Sequence, residues 1–182
     1  MSEALMGVHA LHGLIGSGGG ITVRSLQRGR TFDGLTEVDI PIDPVDLSEA
    51  VLIVEARGDT RNSQSNAGRL VAVRLTSTTN IRAERVSTNG SMLIDWTVVE
   101  LAGASVQNLW LPQTSEVMAV PIDPVDPSSS IVIGGGHTTE VFGAAPHTAG
   151  KPLFELTAAD ELTVTVDDAD QIEHFAVQVV QL

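Results

Sequence analysis

The chain contains no cysteine and no tyrosine. Without thiols there is no disulfide to staple a small fold and no thiolate to hold zinc or attack a substrate, and the redox compartment stays open. Lysine occurs once, as Lys151, and the formal net charge is −13. A surface of that sign repels phosphate backbones and anionic lipid, so neither nucleic acid nor membrane is an expected partner. Aromatic residues are few, with two Trp and four Phe. The core must therefore come from Val, Ile, Leu and Ala, with β-branched residues prominent in the apolar runs. No apolar run approaches the roughly 20 residues of a membrane-spanning helix. Residues 1–10 lack the basic region of a signal peptide, so a soluble protein of the cytosol, or one assembled there, is expected.

What the chain does have is a repeat. Pro41-Ile-Asp-Pro-Val-Asp46 recurs as Pro121-Ile-Asp-Pro-Val-Asp126, and the flanks match as well. Thr36-Glu37-Val38 precedes the first copy and Ser115-Glu116-Val117 the second. Apolar runs follow both, Val51–Val54 and Ile131–Ile133. Each half closes on a similar segment, Trp96–Leu101 and Ala176–Leu182. Self-similarity at a fixed offset decides architecture before any local reading. It divides the chain into an N-terminal arm over 1–20, unit one over 21–102 and unit two over 103–182. Units of this size bury modest cores, so each is expected to lean on its twin or on another subunit.

The arm carries Leu5, Met6, Val8, Leu11, Leu14 and Ile15, then Gly16-Ser-Gly-Gly-Gly20. It is either a frayed end or a tether that docks on a partner. Its glycines precede a strand-like segment and no Lys follows, which is not the grammar of a phosphate loop. Within unit one, strands are expected at 21–30, 35–42, 50–55, 69–76, 81–87 and 91–101. Unit two repeats them at 106–111, 116–122, 131–133, 152–157, 161–166 and 172–182. Asn89-Gly90 is the strongest hairpin signal. Loops are expected over 56–68 and 134–151. Asp46 with Glu49, and Asp126 with Pro127, have the placement of caps on a short helical turn. Short strands between turn signals, with almost no helix, indicate antiparallel sandwiches or barrels. The expected fold is all-β, two tandem duplicated antiparallel β-sandwich units with a flexible N-terminal arm.

Candidate chemistry is sparse. Asp43/Asp46 and Asp123/Asp126 are paired carboxylates, but an acid–base pair needs one pKa raised by burial or like charge. Their Pro-rich setting assigns them turn and cap roles. His137, Glu140 and His147 could ligate zinc, yet they lie on a segment of small residues without a counterpart in unit one. Asp167, Asp168 and Asp170 lack the alternating spacing of a calcium loop. No Gly-x-Ser-x-Gly elbow appears and the five His do not suggest a triad. Trp96 sits in an apolar strand and reads as core; Trp110, at the start of unit two, reads as packing between the units. No enzyme, cofactor or metal is expected. The residues assigned to partner contact are Leu11, Leu14 and Ile15 on the arm and Arg57, Arg61 and Phe142 on the two dissimilar loops.

Val23-Arg-Ser-Leu-Gln-Arg-Gly29 with Asp95-Trp-Thr-Val-Val-Glu-Leu101 resembles small β-rich structural proteins of tailed-bacteriophage virions. The likeness covers 20–101 and decays in unit two, where Gln107-Asn-Leu-Trp-Leu-Pro112 replaces the Gln-Arg-Gly end and the Trp is lost. It implies a non-enzymatic virion component assembled in the host cytoplasm. A capsid decoration or cement protein docked on the major capsid protein is the leading expectation, as a homo-oligomer for which a trimer is one arrangement. Unit one also resembles, in strand order alone, lectin-like sandwiches of phage tail tips, so a receptor- or glycan-binding module of the tail tip or fibre is the alternative. An arm joined through flexible glycines adds to binding made elsewhere. Deleting residues 1–19 is therefore expected to leave a soluble, folded protein that rebinds stripped particles much more weakly; loss of folding would make the arm part of the core, and unchanged rebinding would make it a frayed end.

Overall fold

The computed structural model of the protein describes residues 21–59, 71–85, 91–138, 152–166 and 174–182. Their strands are β1 Thr22–Asp33, β2 Glu37–Pro41, β3 Ala50–Asp59, β4 Ala72–Ser77, β5 Asn80–Glu84 and β6 Ser91–Ala102 in unit one. Unit two has β7 Ser105–Pro112, β8 Val117–Pro121, β9 Ser130–Thr138, β10 Leu153–Ala158, β11 Glu161–Thr165 and β12 His174–Gln181. Unit one pairs β1-β6-β3 and β2-β5-β4; unit two pairs β7-β12-β9 and β8-β11-β10. Adding six to each strand number converts one pattern into the other, and every pairing is antiparallel. The fold is all-β, two tandem antiparallel sandwich units, as the repeat implied. The arm over 1–20, Asn89-Gly90 and Asp167–Asp170 lie outside the described residues.

Strand alternation sends one face of each sheet inward. In unit one Met92, Ile94 and Val98 of β6 meet Ile81 and Ala83 of β5, with Val38, Ile40 and Val73 around them. In unit two Phe175, Val177 and Val179 of β12 meet Leu162 and Val164 of β11. Each fully buried aliphatic side chain contributes about 1.5–3 kcal/mol. Phe154 meets Phe175 edge-on at 5.9 Å in this second core. Trp96 packs against the first core, as its apolar strand suggested.

The repeated hexapeptide crosses between the two sheets of its unit, and the same bonds hold it in both copies. Gln27 donates from Nε2 to the Asp43 carbonyl at 3.0 Å and accepts the Asp43 N–H at 2.8 Å. Gln107 does the same with Asp123, at 2.8 Å for both bonds. Ile42 and Val45 donate to Thr79 and Thr78, and Ile122 and Val125 donate to Asp160 and Ala159. Pro44 and Pro124 cannot donate, so the side-chain amide satisfies backbone groups that no strand reaches.

Three expectations change. The second copy forms a 3₁₀ turn, Pro127–Ser129, capped by Asp126, whereas the first forms only a turn at 47–49. Glu49 does not close a capping box on Asp46; its carboxylate accepts the Gly103 N–H at 3.2 Å and pairs with Arg24 at 2.6 Å. The expected loops also begin later, because β3 runs to Asp59 and β9 to Thr138. In β3 the long partner β6 keeps offering backbone groups down to Ser91. In β9 the run Gly134-Gly-Gly136 is extended because another backbone comes close. A Cβ on Gly135 would press into the Val73 carbonyl oxygen, and one on Gly136 into that of Val71. Glycine in a strand interior marks such an approach.

Gly136 also has φ of +95°, a conformation that L side chains rarely adopt. Gly136→Ala is expected to cost at least about 2 kcal/mol, read as a fall in melting temperature. Gly34→Ala, where an added Cβ meets nothing within 4 Å, is expected to stay within about 0.5 kcal/mol of the parent.

Candidate functional site

The aspartates of the hexapeptide serve the backbone. Asp46 Oδ1 accepts from Ser48 N at 3.0 Å and Ser48 Oγ at 2.7 Å; Asp126 Oδ1 accepts from Ser128 N at 2.9 Å and Ser128 Oγ at 2.7 Å. These bonds favour the charged form and hold both carboxyls below the usual aspartate range. A pair working by acid–base exchange would need one of them raised.

Beside the first copy sits Glu100, buried near the end of β6. It accepts from Asp46 N at 3.1 Å, Arg24 Nη1 at 3.2 Å and Ser25 Oγ at 3.0 Å. The Asp46 N–H contributes most to holding its carboxyl below the ordinary range, opposed by desolvation and aided by Ser25 and Arg24. The carboxylate thereby ties β1, β6 and the hexapeptide together.

The most concentrated polar chemistry lies at the seam between units. Both edge strands on one flank of unit one, β3 and β4, face the outer surface of β7-β12-β9. Gln178 of β12 spans the β3 edge: its Oε1 accepts the Leu52 N–H at 2.9 Å and its Nε2 donates to the Ala50 carbonyl at 3.3 Å. Nε2 also donates to Asn108 Oδ1 at 2.6 Å, while Asn108 Nδ2 donates to the Leu47 carbonyl at 3.1 Å. The Val106 N–H reaches the Ser48 carbonyl at 2.7 Å. Val51, Val99 and Leu101 from unit one bury Val106 and Val180 from unit two in a third apolar cluster.

Next to these amides Arg74 of β4 places its guanidinium carbon 3.8 Å from the centre of the Trp110 ring. The His174 ring stacks on the same indole at 4.8 Å and 2°. Arg74 is held from its other side by Glu84 at 3.0 Å. A desolvated guanidinium–indole contact contributes on the order of 1–2 kcal/mol. Trp110 thus packs between the units, as its position in the repeat suggested. A cleft of about 350 Å³ opens along the seam, with Arg74, Asn108, Trp110 and Gln178 in its wall.

Among the sequence-stated contact residues, Leu11, Leu14, Ile15, Arg61 and Phe142 lie outside the described residues. Arg57 is on β3, in register with Leu93. Of the suggested zinc set, Glu140 and His147 also lie outside them. His137 is on β9, buried, 6.4 Å from the Phe175 ring. Among the described residues no three His, Cys, Asp or Glu side chains come together as a metal set. Gln27, Gln107, Gln178 and Asn108 went unnoticed in the sequence as bonding residues. For Gln27 and Gln107 a signal existed, since both stand at the same offset from their hexapeptide.

Comparison of the chain with protein-family models, curated proteins and solved structures finds no match.

Burial lowers the pKa of His137 below its ordinary value of 6.5. At higher pH the imidazole is neutral in folded and unfolded chains alike. As pH falls below about 6.5 the unfolded chain takes the proton first, and stability drops until the folded imidazole protonates too. His137→Gln is expected to flatten the fall in melting temperature between pH 7 and pH 5. An equal slope in both proteins would place the effect elsewhere. The lowered carboxyls Asp46, Asp126 and Glu100 act in a separate window, stabilising above about pH 4 and losing that contribution below it.

Proposed function

We propose that the protein is a non-enzymatic structural component of a tailed-bacteriophage virion, a capsid decoration protein docked on the major capsid protein. The carrying observation is what the fold does with the residues that resemble such proteins. Gln27 clamps the hexapeptide backbone. Gly29 leaves the space that Trp96 fills, since a Cβ there would lie 2.5 Å from the indole Cζ2. Glu100 gathers β1 and the hexapeptide onto β6. The pattern is therefore a recipe for a rigid sandwich, and a rigid sandwich is what a shell component contributes.

Exposed apolar side chains support permanent docking. Phe32 is 67% exposed and Leu35 60% exposed where β1 leads into β2. Side chains of this size left in water favour a protein surface that covers them. For the rival reading, a glycan-binding module of the tail, the indole of Trp110 is the natural stacking platform. Arg74 and His174 already stack on that ring, which favours the structural reading.

Antibody-labelled electron microscopy of particles from the encoding phage tests the assignment. Label over the capsid surface is expected; label confined to the tail tip would favour the glycan reading, and unlabelled particles would reject both. Phe32→Ser with Leu35→Ser is expected to weaken rebinding to stripped capsids by about tenfold or more, since each lost burial removes roughly 1.5–3 kcal/mol. Unchanged rebinding would move the docking surface elsewhere on the protein.

A further inference from the structure

Most of the seam between the units joins unlike surfaces, a flank of unit one made of the edges of β3 and β4 and the outer sheet face of unit two; at one end Val51, Val99 and Leu101 from the outer face of unit one pack with Val106 and Val180 as well. Duplication means that each surface has a counterpart in the other unit. The flank of unit two is made of edge strands β9 and β10, and the outer sheet face of unit one is that of β1-β6-β3, whose end at Val51, Val99 and Leu101 is already buried against unit two while Leu26, Arg28 and Arg30 stay exposed. We propose that a second copy of this chain occupies these surfaces, so that the flank of unit two docks on the outer face of unit one of the next molecule, head to tail.

Three observations carry this. The free surfaces expose apolar side chains where the internal seam buries them. Leu153 of β10 is 54% exposed, whereas Ala72, at the same place on β4, is 1% exposed. Leu26 of β1 is 45% exposed, whereas Val106, at the same place on β7, is 7% exposed. The strand register fixes these equivalences, because Leu26 pairs with Val99 as Val106 pairs with Val180. Second, charge has been exchanged in a complementary way. Where the seam sets Arg74 beside Asn108 and Trp110, the free flank carries exposed Glu155 and the free face carries exposed Arg28 and Arg30. Arg30 is held by Asp95 yet keeps 65% of its side chain in solvent, and Arg28 forms no ion pair among the described residues. Third, β9 and β10 are edge strands, paired on one side only among the described residues, and such an edge invites pairing unless something blocks it.

The contact between copies is weaker than the seam. Thr97 stands in place of Gln178, so no side-chain amide bridges the incoming edge. Glu55 stands in place of Gly135, so the incoming backbone stays further out. The net charge of −13 also opposes association and is screened by salt. A contact between unlike surfaces generates a ring if the rotation closes and a filament if it does not.

The proposal concerns the isolated protein and holds whether or not the virion reading does. Sedimentation of the full chain tests it up to roughly 100 μM in about 0.15 M salt, well above a micromolar Kd. The parent is expected to grow beyond a dimer with concentration. A flank-blocked variant, Leu153→Asp with Glu155→Arg, and a face-blocked variant, Leu26→Asp with Arg28→Glu, are each expected to stay monomeric with the parent's melting temperature. Mixed together they retain one good flank and one good face, so they should form a dimer and nothing larger. Should either variant melt early, Glu155→Arg and Arg28→Glu serve singly, each lowering association and the two in one chain restoring it. A parent that remains monomeric overturns the proposal, including the case in which residues 1–20 cover the face from within the same molecule. So does a symmetric dimer that survives in one blocked variant.

Discussion

A three-stranded sheet has two edges and only one interior strand, so about a third of its backbone hydrogen-bonding groups point outward without a strand partner. The whole arrangement turns on how the β3 edge is satisfied. Gln178 presents one amide oxygen and one amide nitrogen to the Leu52 N–H and the Ala50 carbonyl, the two groups that point away from β6. A side-chain amide has the same donor and acceptor as a peptide unit, so it takes the place of a missing neighbouring strand. Once that bond is made, unit two must lie with its sheet face against the flank of unit one. The glycines of β9, the stacking of Arg74 on Trp110 and the third apolar cluster follow from that seating. Two sandwiches too small to cover their own edges become one molecule with a shared interior.

The duplication was legible because the hexapeptide and its flanks are written almost unchanged, and the strands followed from alternation and turn signals. The boundaries of β3 and β9 were not, and the reason differs in each. In β3 the polar residues Arg57 and Asp59 read as loop, yet ladder bonds to β6 depend on backbone and not on side-chain polarity. In β9 three successive glycines read as loop, and only a neighbouring backbone that no local pattern announces explains their extension. The seam was legible only in part. Trp110 stood out as a large side chain beginning a unit. Gln178 looked like one more polar residue in an alternating strand, because its partner lies in the other unit and 126 positions away.

The aspartates that read as turn and cap residues do hold the backbone. Asp46 and Asp126 hold turns, and Glu100, which no chemical pattern had singled out, anchors three segments. The matched set of bonds around both hexapeptides accounts for its retention in duplicate: in Asp-Pro-Val-Asp the first Asp is clamped by a glutamine, Pro cannot donate, Val donates to a neighbouring turn, and the carboxylate of the second Asp accepts from the Ser two residues on. A sequence repeated for this reason carries shape and leaves the outward faces free to diverge, as Arg30–Asp95 in one unit and Trp110–Ala176 in the other have done.

The Gly29–Trp96 pair of unit one has its own counterpart in the Leu109–Val177 pair of unit two, at the same register position. A large residue facing a vacancy has been replaced by two of middling size. Two near-identical units on one chain run the hazard, while folding, of exchanging strands and closing on the wrong partner. Here the exchange is mismatched both ways: β1 against β12 would set Gly29 opposite Val177 and leave a hole, and β7 against β6 would force Leu109 into the space of Trp96. Holes and overfilled sites each destabilise by kilocalories, about 1–3 for overpacking alone. The swap of volumes thus works as a sorting code that tells each opening strand which closing strand is its own.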